Sequence, residues 1–545
     1  MGQAVEGDLI FCYSRSARQD TDRYKDPALW DPTGDTLVYF GYQRPQASFR
    51  IQSSILKATN SDLLVGKLQD GMKRTSTLSS AKTTSAPLPD IQGLSLRDRM
   101  VHSRSPYSEN PSTSQIRYEI HFPPPDEYIK VDILRHHITT RNFFALSLKK
   151  PLVGLTLFQA LVDLHSRLQL YLPKDFDCAE VMMQYMIETK LHNVCNDPAA
   201  AAGLLAWSED PGVQWLAGWR EGFVHCCGMY MQVWGSPEFR DISHKSRILL
   251  ERSHLELGAR VQEAEDKLST FNFDEMWTGN EVHHPARAVF DHFRYFLQQF
   301  YAKATKKWPP RKAQESDESW LTKNLVWVMQ KDFGALYDYH VNRGVIWGQE
   351  KNFEMPQREI ICQEDGSNVE GHSSDIPMAK LFDTFDRRHN CPHLPHPYPL
   401  LPTSALDGES NKQSKSRLFS SKSNRLQKRT ILAFTEASNA TLLGPNVTTN
   451  GLLEAFLKFE KTDDLGDLDP QDARKARWIL LYGVLQILAT LSVDVPDLCF
   501  EGGVSYFLNP RLRGAPPWKA GDAVFAEASP KSSYCWKTME TWAGR

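Results

Sequence analysis

The chain has 545 residues, 41% of them hydrophobic and 11% aromatic. That is too much apolar material for a wholly disordered chain, and the length suggests roughly three or four domain-sized units. Lys plus Arg number 63 and Asp plus Glu 66, for a net charge of -3, which argues against a nucleic-acid coat and its strong basic field.

Nine cysteines, at 12, 178, 195, 226, 227, 362, 391, 499 and 535, show no repeated spacing. No basic start followed by an apolar core marks a leader, so reduced thiols in the cytoplasm or nucleus are expected. Position 6 is Glu6, where N-myristoylation after Gly2 would want Ser or Thr. The sequons at Asn439 and Asn446 then carry no meaning.

Residues 1–30 read as a loose N-terminus. Thr36 to Phe40 is β-branched and aromatic and Ser48 to Ile51 is similar, so both are predicted strands. Ser53 to Leu64 follows with helical spacing. Residues 69–115 are rich in Ser, Thr, Pro and Lys and read as a disordered insert. Ile116 to Phe122 alternates like a third strand, ended by Pro123, Pro124 and Pro125.

A helical body is predicted over 131–345. Leu157, Leu161, Leu164, Leu168 and Tyr171 make one apolar face. Asp197-Pro198 and Asp210-Pro211 each read as an N-cap followed by proline, starting two helices. From Arg247 to Leu268 a stripe of Leu250, Leu257, Val261, Ala264 and Leu268 predicts a long helix. Glu256 with Arg260 and Glu263 with Lys267 would pair along it. Further helices are expected near 286–305 and 318–342. An irregular region spans 351–430, with a basic, Ser-rich linker at 402–429 holding seven Lys or Arg from Lys412 to Arg429. The C-terminal segment, 431–545, is predicted to carry helices near 451–461 and 471–492 and a strand over Gly503 to Leu508, all packing on the body.

The apolar run from Trp478 to Val493 is shorter than the roughly 20 residues a membrane span needs, and it includes Gln486, Thr490 and Ser492. A buried core helix started by Asp469-Pro470 is the better reading, with no transmembrane segment.

Catalytic and nucleotide-binding signatures are absent: no Walker A loop, GxGxxG, GxSxG, HExxH or kinase set. No cofactor is implied and no catalytic residue is assigned. The metal candidate is His389, Cys391, His393 and His396, nitrogen and sulfur donors that suit zinc. Their spacing fits no structural zinc pattern, and a Pro-rich polar loop is the better reading of them. His225, Cys226 and Cys227 lie on a predicted helix, where neighbours point about 100° apart and cannot easily share one ion. Asp463, Asp464, Asp467, Asp469 and Asp472 lack a calcium-loop pattern and suit the N-terminus of the following helix. Ser105, before Pro106, and Ser420, in the Arg417-Leu418-Phe419-Ser420 run, are candidate phosphorylation sites.

Two resemblances follow from these residues. DTLVYFG with SFRIQSSILKATNSDLL resembles the opening of a BTB/POZ domain, in which a strand pair leads into a helix; Phe49, Ile51, Leu56 and Ser61 stand near its pattern, with Gln52 at the usual His. The resemblance implies a domain over 31–172, interrupted by the insert, and pairing with itself or with partner proteins. The stretches RHHITTRNFFALSLKKPLVGLTLFQALVDLHSRLQLYLP, LHNVCNDPAAAAGLLAWSEDPGVQWLAGWREGFVHCCGMY, PEFRDISHKSRILLERSHLEL and ARWILLYGVLQILATLSVDVP resemble a filamentous-fungal family of unknown function. That implies a fungal source and a shared fold, and no catalytic residue.

The expected fold is α+β and predominantly α-helical: a small BTB/POZ-like unit, a helical domain over 173–350, the irregular region and the C-terminal segment. The expected function is protein interaction or scaffolding, through a protein partner or self-association. The alternatives are an enzyme with a pocket in the helical body, using His136, His137, Arg141, His225 or the 389–396 cluster, and a regulator reaching nucleic acid or an anionic membrane through 412–429.

Overall fold

The architecture comes from a computed structural model, which describes residues 26–41, 46–72, 116–277, 283–312, 319–341, 343, 376–396, 434, 438, 451–466, 468–519 and 525–537. The linker at 402–429, the insert beyond residue 72, Ser105 and Ser420 lie outside these. The chain forms two units, each built from several stretches: Met1–Val194, Ala199–Trp219 and Ser236–Ile242 in the first; Cys195–Pro198, Arg220–Gly235 and Ser243–Arg545 in the second.

The first unit opens with strands β1 (Thr36–Tyr39) and β2 (Phe49–Ile51), paired antiparallel with Thr36 opposite Ile51. Helices α1 (Ser53–Ala58) and α2 (Asp62–Asp70) follow where the sequence predicts one helix. The break is at Asn60, in the left-handed region at φ 52°, and Ser61 then caps α2 by accepting from the Leu64 amide at 3.2 Å. Strand β3 (Tyr118–His121) lies parallel to β1, giving the sheet order β2-β1-β3. Gln69 and Asp70 finish α2 and Met72 bridges to Tyr118, so structure continues past the predicted start of the insert.

Helix α3 (Lys130–Ser147) packs its aromatic end on the sheet, with Phe144 edge-on to Phe49 at 4.7 Å and to Phe122 at 5.6 Å. Helix α4 (Leu157–Tyr171) buries the whole predicted stripe, each large side chain contributing about 2 kcal/mol of apolar transfer. Helix α5 (Cys178–Thr189) starts at an Asp177 cap and ends at Lys190, which takes a left-handed conformation.

Helix α6 (Pro198–Ser208) begins at the predicted Asp197-Pro198. Asp210-Pro211 starts a turn instead of a helix. The Asp210 carboxylate accepts from the Gly212 amide at 2.8 Å, and α7 (Leu216–Gly228) begins only after the turn closes.

In the second unit, the short α8 (Tyr230–Trp234) precedes the long α9 (His244–Thr270), capped by Ser243. Its predicted stripe is buried, but Glu256 has Arg252 as its ion partner 3.8 Å away, and the other residues of the predicted pairs reach across the fold. Arg260 donates to the carbonyl of Asn509 at 2.5 Å, Lys267 pairs with Glu275 and Glu263 with His389. Tertiary partners thus take over from the predicted four-residue pairs.

Helices α10 (Ala286–Thr305), α11 (Lys323–His340), α12 (Met378–His389), α13 (Gly451–Thr462) and α14 (Pro470–Ala489) complete the unit. Helix α14 is its axis and contacts α9, α10 and α11. It is buried on every face from Ala473 to Ala489, which includes the basic Arg474, Lys475 and Arg477. Asp469 caps it, accepting from the Gln471 amide at 3.0 Å. A Cβ at Gly483 would collide with the Phe273 ring, so only glycine allows this approach. No helix among the described residues is long and apolar enough to cross a membrane. Residues 503–508 form no strand; they run as irregular chain, with the Leu508 carbonyl accepting from the Val495 amide at 2.8 Å.

Candidate functional site: paired polar nodes and an open helical face

The residues 389–396 follow the end of α12, where Asn390 turns the chain through a left-handed conformation. His389 places Nδ1 2.8 Å from Glu263 and Nε2 3.0 Å from Glu275. Two carboxylates on two ring nitrogens require both to carry protons, so the ring is an imidazolium. Its pKa is raised, chiefly by the Glu275 hydrogen bond. Burial alone would raise Glu275, but hydrogen bonds from His389 and Lys267 hold its carboxyl down at about 2.

His393 turns the other way, with Nδ1 2.9 Å from Asp386 and 3.0 Å from the Tyr482 hydroxyl. Tyr482 and Gln486, on α14, donate to the same buried carboxylate at 2.6 and 2.9 Å. His396 accepts from the Tyr337 hydroxyl at 2.7 Å and is neutral; burial and the nearby Arg343 charge lower its pKa to about 4. Burial, with the Asp386 charge, pushes the Cys391 thiol up to about 12, and it stays protonated. The four candidate metal ligands therefore face separate partners. Among the described residues no group of three or more His, Cys, Asp or Glu is placed to hold a metal ion.

His225 is completely buried, as are Cys226 and Cys227 beside it. Its Nδ1 lies 2.7 Å from the Tyr506 hydroxyl and its Nε2 donates to the Phe500 carbonyl at 3.1 Å. Glu221, one turn earlier on α7, accepts from the amides of Cys499 and Phe500 at 2.9 and 3.1 Å. Together they fasten the 499–506 loop to α7.

His136, His137 and Arg141 belong to the first unit, and His225 and residues 389–396 to the second. His136 faces Arg167, 3.3 Å from Nδ1, and burial with that charge lowers its pKa to about 4. His137 stacks on Phe40, and Arg141 pairs with Asp26 at 2.8 Å and donates to the Pro151 carbonyl.

The acidic run is also taken up by local work. Asp463 pairs with the buried Arg477 at 2.5 Å, Asp464 accepts from the Gly466 amide and Asp469 caps α14. A depression of about 390 Å³ lies here, walled by Val289, His292, Leu465 and Leu468, with Asp464 and Asp469 at its edge. Sequence reading missed the ion set behind it. Arg477 also meets Glu460 at 3.1 Å, Glu460 accepts from Tyr339, and no local spacing announces a partner 121 positions away.

What stays open is a surface. Ile248 and Leu255 of α9 are 53% and 64% exposed, one above the other two turns apart. Helix α8 lies alongside, with Tyr230 stacked on His254 at 4.6 Å, and it adds Met231 and Trp234, 55% and 61% exposed. Four large apolar side chains on two adjoining helices differ from singly scattered ones, which are normal on any protein.

Residues 179–273 match a family described as Domain of unknown function (DUF8004). The DUF8004 segment takes in α5 to α9, and so carries Glu221, His225 and the whole open face. Comparison with curated proteins and with solved structures returns no match.

Proposed function

We propose that this chain is a non-enzymatic protein-interaction protein of the cell interior, a scaffold or adaptor. The observation that carries the reading is the open face of α8 and α9, where Met231, Trp234, Ile248 and Leu255 stand in solvent. Exposed apolar groups gathered on a rigid helix fit a surface that another protein covers. The titratable side chains that might have done chemistry support it from the other side. His225, His389, His393 and His396 each hold a hydrogen-bonded partner inside the fold. The strand pair leading into α1, which resembles a BTB/POZ opening, is in keeping with an interaction role.

The test is affinity purification of the tagged chain from its native host, with quantitative mass spectrometry. The expected result is a partner near one-to-one that disappears when Ile248→Glu and Leu255→Glu are introduced together. Recovery of the chain alone, carrying a metal ion or small molecule, overturns the reading and favours an enzyme.

A further inference from the structure

We propose that the depression between α10 and the start of α14 is the docking site of this chain's own basic segment, residues 412–429, with Leu418 and Phe419 against its apolar wall. This is a contact within the chain, and it stands apart from the open face of α8 and α9.

The wall is apolar and the edge is acidic. Pro285, Ala288, Val289 and His292 recur at three- and four-residue steps along α10 and so share one face, and Leu465 and Leu468 close the other side. The run from Asp463 to Asp472 holds five acids and no base. Asp463 is paired with Arg477, and Asp472 faces His284 and Lys475 at 3.8 and 3.7 Å. Asp464 and Asp469, at the edge, accept from the amides of Gly466 and Gln471, and among the described residues neither has an ion-pair partner. An apolar hollow rimmed by two carboxylates without a cation suits a basic ligand with an apolar centre.

Residues 412–429 have that chemistry. Seven Lys or Arg and no acid surround Leu418-Phe419, with Arg417 directly before the pair and Lys422 three residues after it. A depression of about 390 Å³ admits an aromatic side chain.

The chain also delivers the segment to the place. Phe434, five residues past Arg429, is buried, with its ring 5.4 Å from the Arg477 guanidinium. Arg477 holds Asp463 at 2.5 Å, and Asp463 lies 3.5 Å from His292 on the wall of the depression. Five residues span at most about 17 Å, and the fifteen from Phe419 to Phe434 about 50 Å, so the tether reaches with slack. A ligand tethered so closely has an effective concentration of about a millimolar, enough to fill an open site of weak intrinsic affinity.

Fluorescence anisotropy with a labelled synthetic peptide of residues 412–429 tests this on two full-length proteins. One is the native chain; in the other, 412–429 is exchanged for an equal length of Gly and Ser. The exchanged chain should bind the peptide saturably, and the native chain at least about tenfold more weakly, because its own segment holds the site. In the exchanged chain Asp464→Lys should weaken binding about tenfold, with no shift in unfolding midpoint because the side chain is exposed. Phe419→Ser in the peptide should do the same, and so should phosphate on Ser420, which sets negative charge against Asp464 and Asp469. Equal binding by both proteins overturns the proposal, as does no binding by the exchanged chain. Affinity that ignores Asp464→Lys, or a peptide of scrambled order that binds as well, overturns the site. Hydrogen exchange over 285–292 and 465–468 should be slower in the native chain than in the exchanged one, and equal rates overturn the docking.

Discussion

Replacing Glu275 by Gln should loosen α12 from the fold. Glu275 accepts from His389 at 3.0 Å and from Lys267, with Arg388 3.8 Å away, while Glu263 holds the other side of His389. Its carboxyl sits at about 2 against an ordinary 4.5. At 1.36 kcal/mol per pKa unit that is about 3 kcal/mol, an upper figure because the side chain is 20% exposed. The sign follows from the depression. The contribution is whole above pH 4.5 and is lost as pH falls from 4.5 towards 2. His389 runs oppositely. Its pKa is raised, so its share is whole below 6.5 and is lost as pH rises through its folded value. Native-state hydrogen exchange over 378–389 reads the local opening. At pH 6 Glu275→Gln should lower protection roughly 100-fold, and the gap from the native chain should close in acid. A change under about threefold at pH 6 would refute the reasoning.

Glu221→Leu removes the buried carboxylate that accepts from the loop amides of Cys499 and Phe500, and should cost about 1–3 kcal/mol in thermal unfolding. Gly483→Ala drives a methyl into Phe273 and should cost about 1–3 kcal/mol, read as a lowered denaturation midpoint of the second unit. Asp469→Ala removes a helix cap and should cost about 1 kcal/mol, whereas Asp210→Ala, which breaks only a turn contact, should cost less in the same assay.

The parts legible in the sequence are those governed by neighbours in the chain. Thr36 to Phe40 reads as a strand because its side chains suit a half-buried sheet, and Tyr39 ends it. The stripe from Leu157 to Tyr171 and the cap at Asp469-Pro470 are equally local, and both stand as read. Asp210-Pro211, read as a helix start, opens a turn instead, because Asp before Pro suits turns as well as helices. Gly503 to Leu508 has strand-like residues but, among the described residues, no strand to pair with. The predicted four-residue pairs on α9 gave way because Glu263 and Arg260 reach partners 126 and 249 positions away. The 389–396 cluster fails to converge for the same reason. Its three histidines look alike in sequence, but His389 is claimed by Glu263 and Glu275, His393 by Asp386 and Tyr482, and His396 by Tyr337. The open face was hidden as well: Ile248 and Leu255 look like core residues until the buried side of the helix is known.

The helix from Pro470 to Ala489 is synthesised after every helix it holds. During translation α9, α10 and α11 emerge with apolar faces made for a strut that does not yet exist. A nascent chain in that state is a substrate for chaperones. A stop codon before residue 470 would therefore yield no smaller working protein. It would release an unfinished bundle that sticks to whatever it meets.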